Sequence, residues 1–493
     1  MTKNEIRLYY SGLIIFAAKI LSVATGFIFT LLITRNTTEP ELGIWSNVFD
    51  LMGYFLLLSA AIPFWATRFL ARGKEGTTKT AFLANLVLGI IAAAFYLPLI
   101  PFVTQALSVP GVYLYLYVIA AAQVVELYLI SLLEACLRAV KPEAVGYGLL
   151  VEEFVKVSLA ILLIVVLKQP LFGAMVSLII GVAIQVAYYV KLVSPNFKEK
   201  IRWDYVKEWL KGSVAAIYNV IGNQIAVFIF ILLFIYGGQG ARGYYTAAMT
   251  IANVITYSSF LSFALYPKLL ANKSLQDVTM SLKMVLMFAI PMTVGIIAIP
   301  DSFLIILNES YGAATPVLFL LAIDCFVSTI SQFYTYVLFG VEEVDEKAKI
   351  PLKQLLRSDI FKVFTLPYIH SAITLPTAYF VLTRFAVNQP VEAAAYVTAI
   401  NMVARIAMFL VLLAIMRKSV KVNVPWRNVA KYSFAAIVMA AILYLSPHQT
   451  KITSTLGMAV AGGAVYLALI FLIDRETRDL IASIWRELRS KSV

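Results

Sequence analysis

Apolar windows about 20 residues long recur along nearly the whole chain, and no other feature constrains its fold as strongly. A helix needs about 20 apolar residues to cross the hydrocarbon of a bilayer. Fourteen such windows are centred near residues 22, 55, 92, 125, 156, 182, 222, 255, 289, 327, 372, 403, 438 and 463. Hydrophobic residues make up 61% of the 493 and charged residues 14%, whereas soluble domains average about 25% charged. The expected class is an all-α polytopic membrane protein with about 14 transmembrane helices, because only a helix satisfies its own backbone in lipid over such a length. Connections between windows are short, so no separate soluble domain is expected. The run from residue 11 to 35, "SGLIIFAAKILSVATGFIFTLLITR", is too long for a signal peptide and lacks a small-residue cleavage site, and reads as a retained first span.

The net charge of +13 follows topology. Counting Lys and Arg in alternate connections gives 30 in the set that begins with the N-terminus and 5 in the other. By the positive-inside rule both termini lie in the cytoplasm of a multi-pass protein of the plasma (cell) membrane. The same distribution removes nucleic acid as an expected partner. Residues 474–493, "DRETRDLIASIWRELRSKSV", read as an amphipathic helix at the cytoplasmic membrane surface. Cys136 and Cys325 lie in apolar runs, and the only histidines are His370 and His448. A disulfide framework, a metal centre and a resident cofactor are therefore not expected. There is no phosphate-cradling Gly-Lys-Ser/Thr loop, which excludes an ATPase.

Charges inside the spans carry the functional signal. A charged side chain at mid-membrane costs about 2.5–3.5 kcal/mol on insertion scales, so it is either compensated or used. Lys19, Lys156 and Arg405 lie deep in their spans, as do Asp50, Glu126, Glu134, Glu152, Glu153 and Asp324. Lys211 and Lys362 sit near helix ends and reach water by snorkelling. Lys156 has acids at i−4 and i−3, Glu152 and Glu153, on its own helix face. Lys19 and Arg405 have none at helical spacing, so their partners must come from another helix or from a substrate. Together these groups are expected to line a shared polar interior. Asp50, Glu126 and Asp324 are candidates for hydrogen-bonding a substrate, for gating pairs or for proton sites.

The second and eighth spans overlay with an offset of 200 residues: Gly43 on Gly243, Ser46 on Thr246, Ser59 on Ser259 and Arg68 on Lys268. Six intervening helices, an even number, give both copies the same orientation, the parallel-repeat plan of some transporters. The expected organisation is two pseudo-symmetric six-helix lobes, residues 1–195 and 196–420, followed by helices 13 and 14 at 421–473 as an appendage and the tail at 474–493.

The run "ITRNTTEPELGIWSNVFDLMGYFLLLSAAIPFWATRFLARGK", residues 33–74, resembles the start of the polysaccharide flippase family, in which a helix ending in Arg is followed by an acidic-Gly-aromatic turn, a long helix and a basic cytoplasmic exit. "GYYTAAMTIANVITYSSFLSFALYPKLLA" and "ILNESYGAATPVLFLLA" are similar to later elements of that family. The family belongs to the superfamily that also holds multidrug and toxin exporters and the lipid II flippases. The resemblance implies a V-shaped pair of lobes that moves a lipid-linked oligosaccharide to the outer leaflet by alternating access, with cationic residues in the central cavity. Lys19, and more distantly Arg405, are counterparts of those residues. Arg35, Arg68 and the Glu152, Glu153 and Lys156 set are candidates for gating or structural ion pairs. Some relatives bind a coupling cation among helices 7, 11 and 12. Here Asn219, Asn223 and Asn401 are the candidate oxygens, while helix 11 offers Ser371, Thr374 and Thr377 and no carboxylate, a departure from the family pattern that counts against a sodium site; the coupling ion is left open between H+ and Na+.

The expected partners are a prenyl-(pyro)phosphate-linked oligosaccharide and membrane lipids, and the expected state is a monomer. The alternative is a cation-coupled multidrug exporter of the sister family, which has the same architecture with a more apolar cavity and a carboxylate cation site. A membrane glycosyltransferase, polymerase or ligase is disfavoured, because the longest external connection, near residues 300–314, carries only Asp301 and Glu309 as charged groups.

Overall fold

The structure is a computed structural model that describes residues 3–262, 275–341, 358–419, 422–447 and 451–478. All regular secondary structure among them is helical. Most of the tail at 474–493 lies outside the described residues, as do Lys268 and the later part of the repeat. Ten of the described helical stretches are long and apolar enough to cross a membrane.

The windows near 55, 156, 255 and 372 are helical too, but they are the broken or charged ones. The second comprises α2 (Glu39–Gly53) and α3 (Ala61–Ala71), separated by a series of turns. The fifth is α6 (Pro142–Ala160), which carries Glu152, Glu153 and Lys156 and passes into a π-helical stretch at Ile161–Val166. The eighth is α10 (Gln239–Ala252), which tightens into a 3-10 helix at Asn253–Ser262. The eleventh, α14 (Asp359–Arg384), contains Pro367 and Pro376, each of which removes a backbone donor from the helical ladder. The 200-residue offset is visible in these boundaries, since α2 and α10 begin at residues 39 and 239 and break at about residues 53 and 252. A capping box starts α2: the Thr38 side chain accepts from the Glu41 backbone, and Glu41 Oε2 accepts from the Thr38 N–H at 2.8 Å, satisfying two of the helix's first donors.

The chain divides into two compact units, the first comprising Met1–Gly243 with Leu382–Pro390 and the second Tyr244–Val381 with Val391–Val493. In unit 1, α6 packs on α1 (Lys3–Asn36) and α7 (Pro170–Val193), and α5 (Leu114–Val140) packs on α3, α4 (Thr77–Ala106) and α7. The division falls after Gly243 rather than at 195/196. The segment beyond residue 195 is held by specific side chains in unit 1, which explains the difference. In α8 (Trp203–Gly212), Trp209 is fully buried and meets Phe69 edge-on. Ahead of α9 (Val214–Leu232), Ser213 accepts from Trp65 Nε1 at 3.0 Å and donates to the Ala61 carbonyl at 2.9 Å.

In unit 2, α11 (Leu275–Ala298) lies against α13 (Thr315–Val341), and α12 (Pro300–Leu307) precedes the latter. The last two helices, α16 (Trp426–Leu445) and α17 (Ile452–Ile473), share the core of that unit rather than standing apart from it. Tyr432, Met439, Tyr466 and Ile470 are buried in the same cluster as Val285 and Phe333. The Tyr466 hydroxyl donates to the Met287 carbonyl of α11 at 2.7 Å. The remaining long helix, α15 (Pro390–Ser419), carries Arg405.

Candidate functional site

Charged side chains inside the spans of unit 1 form two sets with different partners. Asp50 on α2 is clasped by Arg242 in the first turn of α10: Nε donates to Oδ2 at 2.8 Å and Nη2 to Oδ1 at 2.9 Å. Both residues are buried, and the guanidinium also lies 4.7 Å from the centroid of the Phe230 ring. A bidentate fork of this kind fixes orientation as well as charge. Arg242 falls in the sparsely basic set of connections, and no acid at helical spacing marks a partner for it in the sequence.

Glycine permits this approach. A Cβ added to Gly43 would strike the Gln239 carbonyl, and one added to Gly243 would strike the Glu39 carbonyl. Backbone contact at this distance excludes any larger residue, a role glycine has where two backbones meet.

Glu152, Glu153 and Lys156 form the second set, on the face of α6 packed against α1. Lys156 Nζ lies 3.0 Å from Glu152 Oε1 and 2.8 Å from Glu153 Oε2. From α1, Ser22 and Thr25 each donate to Glu153 at 2.6 Å. All three charged residues are buried, and the two ion pairs rest on the i, i+3 and i+4 geometry legible in the sequence, whereas the two hydroxyls come from a separate helix.

Lys19 is exposed on the flank of α1, three residues before Ser22. Among the described residues it forms no ion pair. Glu126 on α5 is also unpaired: its Oε2 is buried without a donor, and three residues earlier Gln123, 2% exposed, has an Oε1 in the same condition. Glu134 is bound locally by Arg138 at 2.7 Å. Arg35 is exposed in the last turn of α1, and Arg68 lies over the Phe64 ring at 4.0 Å. Asn219 and Asn223 of α9 bond to each other, with Asn223 Nδ2 donating to the Asn219 carbonyl at 2.9 Å. Asn401 belongs to unit 2, where it is buried.

Unit 2 joins two more of the expected residues. Arg405 Nε on α15 donates to Asp324 Oδ1 on α13 at 2.6 Å, and its Nη1 donates to Ser328 at 3.3 Å. Asp324 is 3% exposed and Arg405 is partly exposed, so the guanidinium is anchored at one edge and open at another. On α14 the His370 ring lies within electrostatic reach of Arg405 and donates to the Asn401 backbone carbonyl, while its Nε2 and the Thr374 hydroxyl are buried without partners. After the last helix of the same unit, Asp474 receives Lys431 Nζ at 2.7 Å and the Thr477 hydroxyl at 2.6 Å.

No family model matches this sequence, and no curated protein matches it. Solved structures do. One is described as lipid II flippase MurJ in an inward closed conformation, with a TM-score of 0.68 and 16% identity, covering 95% of this chain and 100% of that one. Another is an inward-facing multidrug resistance MATE family transporter of the MOP superfamily, with a TM-score of 0.60 and 12% identity over 81% of this chain and 96% of that one. A third, MATE in complex with MaL6, has a TM-score of 0.54 and 13% identity over 80% and 94%. At these identities the likeness is one of fold: this chain has the helical fold found in the MurJ flippase and in MATE transporters.

Proposed function

We propose that this chain is a flippase that moves a prenyl-(pyro)phosphate-linked oligosaccharide from the cytoplasmic to the outer leaflet by alternating access through a central charged cavity. The observation that carries the reading is the division of labour among the charges. Asp50 and Asp324 are each paired with an arginine and the two α6 acids share Lys156, whereas Lys19 has no counter-charge among the described residues. A cation left unpaired in a span is costly unless it meets water or an anion, and the phosphate of a lipid carrier supplies that anion. The glycan's hydroxyls need a watered path, because unsatisfied polar groups in hydrocarbon cost several kcal/mol each. Arg405, anchored by Asp324 and open at its other edge, is a second phosphate contact. Asp50 and Arg242 form a gating pair, and the glycan's lipid tail stays in the bilayer. The chain acts without covalent chemistry, in the plasma membrane, with both termini cytoplasmic.

One observation favours the multidrug exporter reading. Glu126 is a carboxylate without a counter-cation, which is what an organic or coupling cation would meet. Binding of a polyprenyl diphosphate disaccharide and of an organic cation to the purified protein separates the two. The flippase reading expects the prenyl-linked sugar to bind and the organic cation not to displace it.

A further inference from the structure

We propose that Glu126 holds an exchangeable proton and is the residue through which proton movement is coupled to this protein's transport cycle. The coupling part of this inference rests on the reading of the chain as a transporter; the protonation does not.

Three acids in the spans were equivalent by sequence, and the structure separates them. Asp50 is held by both nitrogens of the Arg242 fork, and Asp324 by Arg405. Glu126 has no cation and presents a buried oxygen with no donor. Gln123, three residues earlier and so on the same face of α5, has its own side-chain oxygen buried without a donor. The local deficit is therefore one of hydrogens, with two acceptors adjacent on one helix face. A proton on the Glu126 carboxyl supplies the missing donor and removes the charge, whose burial without a partner costs several kcal/mol.

The charged groups on the helices packed around α5 are paired elsewhere or sit at helix ends. Arg68 of α3 lies over Phe64, and Glu152 and Glu153 of α6 share Lys156. Tyr189 of α7 donates to the Val145 carbonyl, Glu41 of α2 accepts from Tyr113, and Tyr96 of α4 meets the Phe55 ring edge-on with its own hydroxyl buried without a partner. Lys79 and Lys191 lie in the end turns of α4 and α7. None of these groups neutralises Glu126. The α6 set also carries a surplus negative charge, but Glu153 is already met by two hydroxyls and an ammonium. Glu126 is met by no donor from any described side chain.

The step is simple. When the region around Glu126 opens to water, hydronium gives its proton to a carboxylate oxygen and leaves as water; when it opens to the other side, the O–H bond breaks and the proton returns to water. No electrons are exchanged.

Infrared difference spectroscopy of the full-length purified protein, titrated through neutral pH, reads the carboxylic-acid carbonyl band directly. The expected result is a titrating band that is present in wild type, absent in E126Q and retained at a shifted position in E126D. Melting curves identify which variants are folded. A band of equal intensity in wild type and folded E126Q overturns the proposal. Proteoliposomes with an imposed pH gradient and a fluorescent polyprenyl diphosphate disaccharide read the coupling. Acceleration by the gradient should fall about tenfold in E126Q, and full acceleration in that variant overturns the coupling. A wild-type protein that shows the Glu126-dependent band and moves no probe upholds the protonation and overturns the flippase reading instead.

Discussion

Gly43 and Gly243 meet reciprocally. A side chain on Gly43 would collide with Gln239, and one on Gly243 with Glu39, so residues related by the 200-residue offset exchange equivalent contacts. This is the pattern of an isologous contact, in which one patch meets its own counterpart. It places the repeat that was faint in the sequence at a point where α2 and the start of α10 touch backbone to backbone.

Gly43→Ala and Gly243→Ala should each destabilise the protein. Overpacking of a tight contact costs about 1–3 kcal/mol, and the gain in helix propensity on replacing glycine, about 1 kcal/mol, offsets only part of it. Thermal unfolding in detergent should show a lower midpoint for each. The double variant should lose less than the two losses added, because the sites share one contact.

Asp50 and Arg242 behave as a unit. Removing one partner strands the other charge in a buried site, at a cost of about 3–5 kcal/mol. Asp50→Ala and Arg242→Ala should therefore both unfold at markedly lower temperature. Asp50→Leu combined with Arg242→Met should recover much of the loss, since replacing a buried pair by apolar groups of similar size is often neutral. A double-mutant cycle measures the coupling.

The end of unit 2 that carries Asp474 should be acid-sensitive. Burial pushes the Asp474 carboxyl upward, but hydrogen bonds from Lys431, Thr477 and Asn428 outweigh it and leave the group below its ordinary value. Glu476 is lowered first by its hydrogen bond from Lys283. A carboxyl depressed in the folded state stabilises above its unfolded pKa, about 4 for these acids, and that contribution is lost as pH falls through the folded value. Wild type should lose midpoint temperature below about pH 4, with a smaller loss over the same window in the Asp474→Asn, Glu476→Gln variant.

The helical segments were legible because apolar windows of membrane length carry their own signal. The α6 set was legible for a local reason, since Lys156, Glu152 and Glu153 fall at i, i−4 and i−3 on one turn. Arg405 had no acid at helical spacing, and the expectation of a partner on another helix was met by Asp324. Arg242 was invisible. The positive-inside count places it in an outer connection, and its partner Asp50 is 192 residues away in the chain. Its position one residue before Gly243, in the repeated helix that matches the one bearing Asp50, was the only clue. Helices 13 and 14 read as an appendage because their buried face, which includes Tyr432 and Tyr466, alternates with lipid-compatible residues of the same hydrophobicity.

Lys19→Ala should leave folding intact while translocation falls by about tenfold or more, the scale of losing one charge-assisted contact, and Lys19→Arg should retain most of it. Comparing melting midpoints with transport for the same preparations separates the two effects.

The most direct measurement is leaflet-resolved translocation of a fluorescent polyprenyl diphosphate oligosaccharide by the purified chain in proteoliposomes. The account predicts movement by wild type and its loss in folded Lys19→Ala. Equal rates in the two proteins, or export of organic cations with no movement of the prenyl-linked sugar, would contradict it.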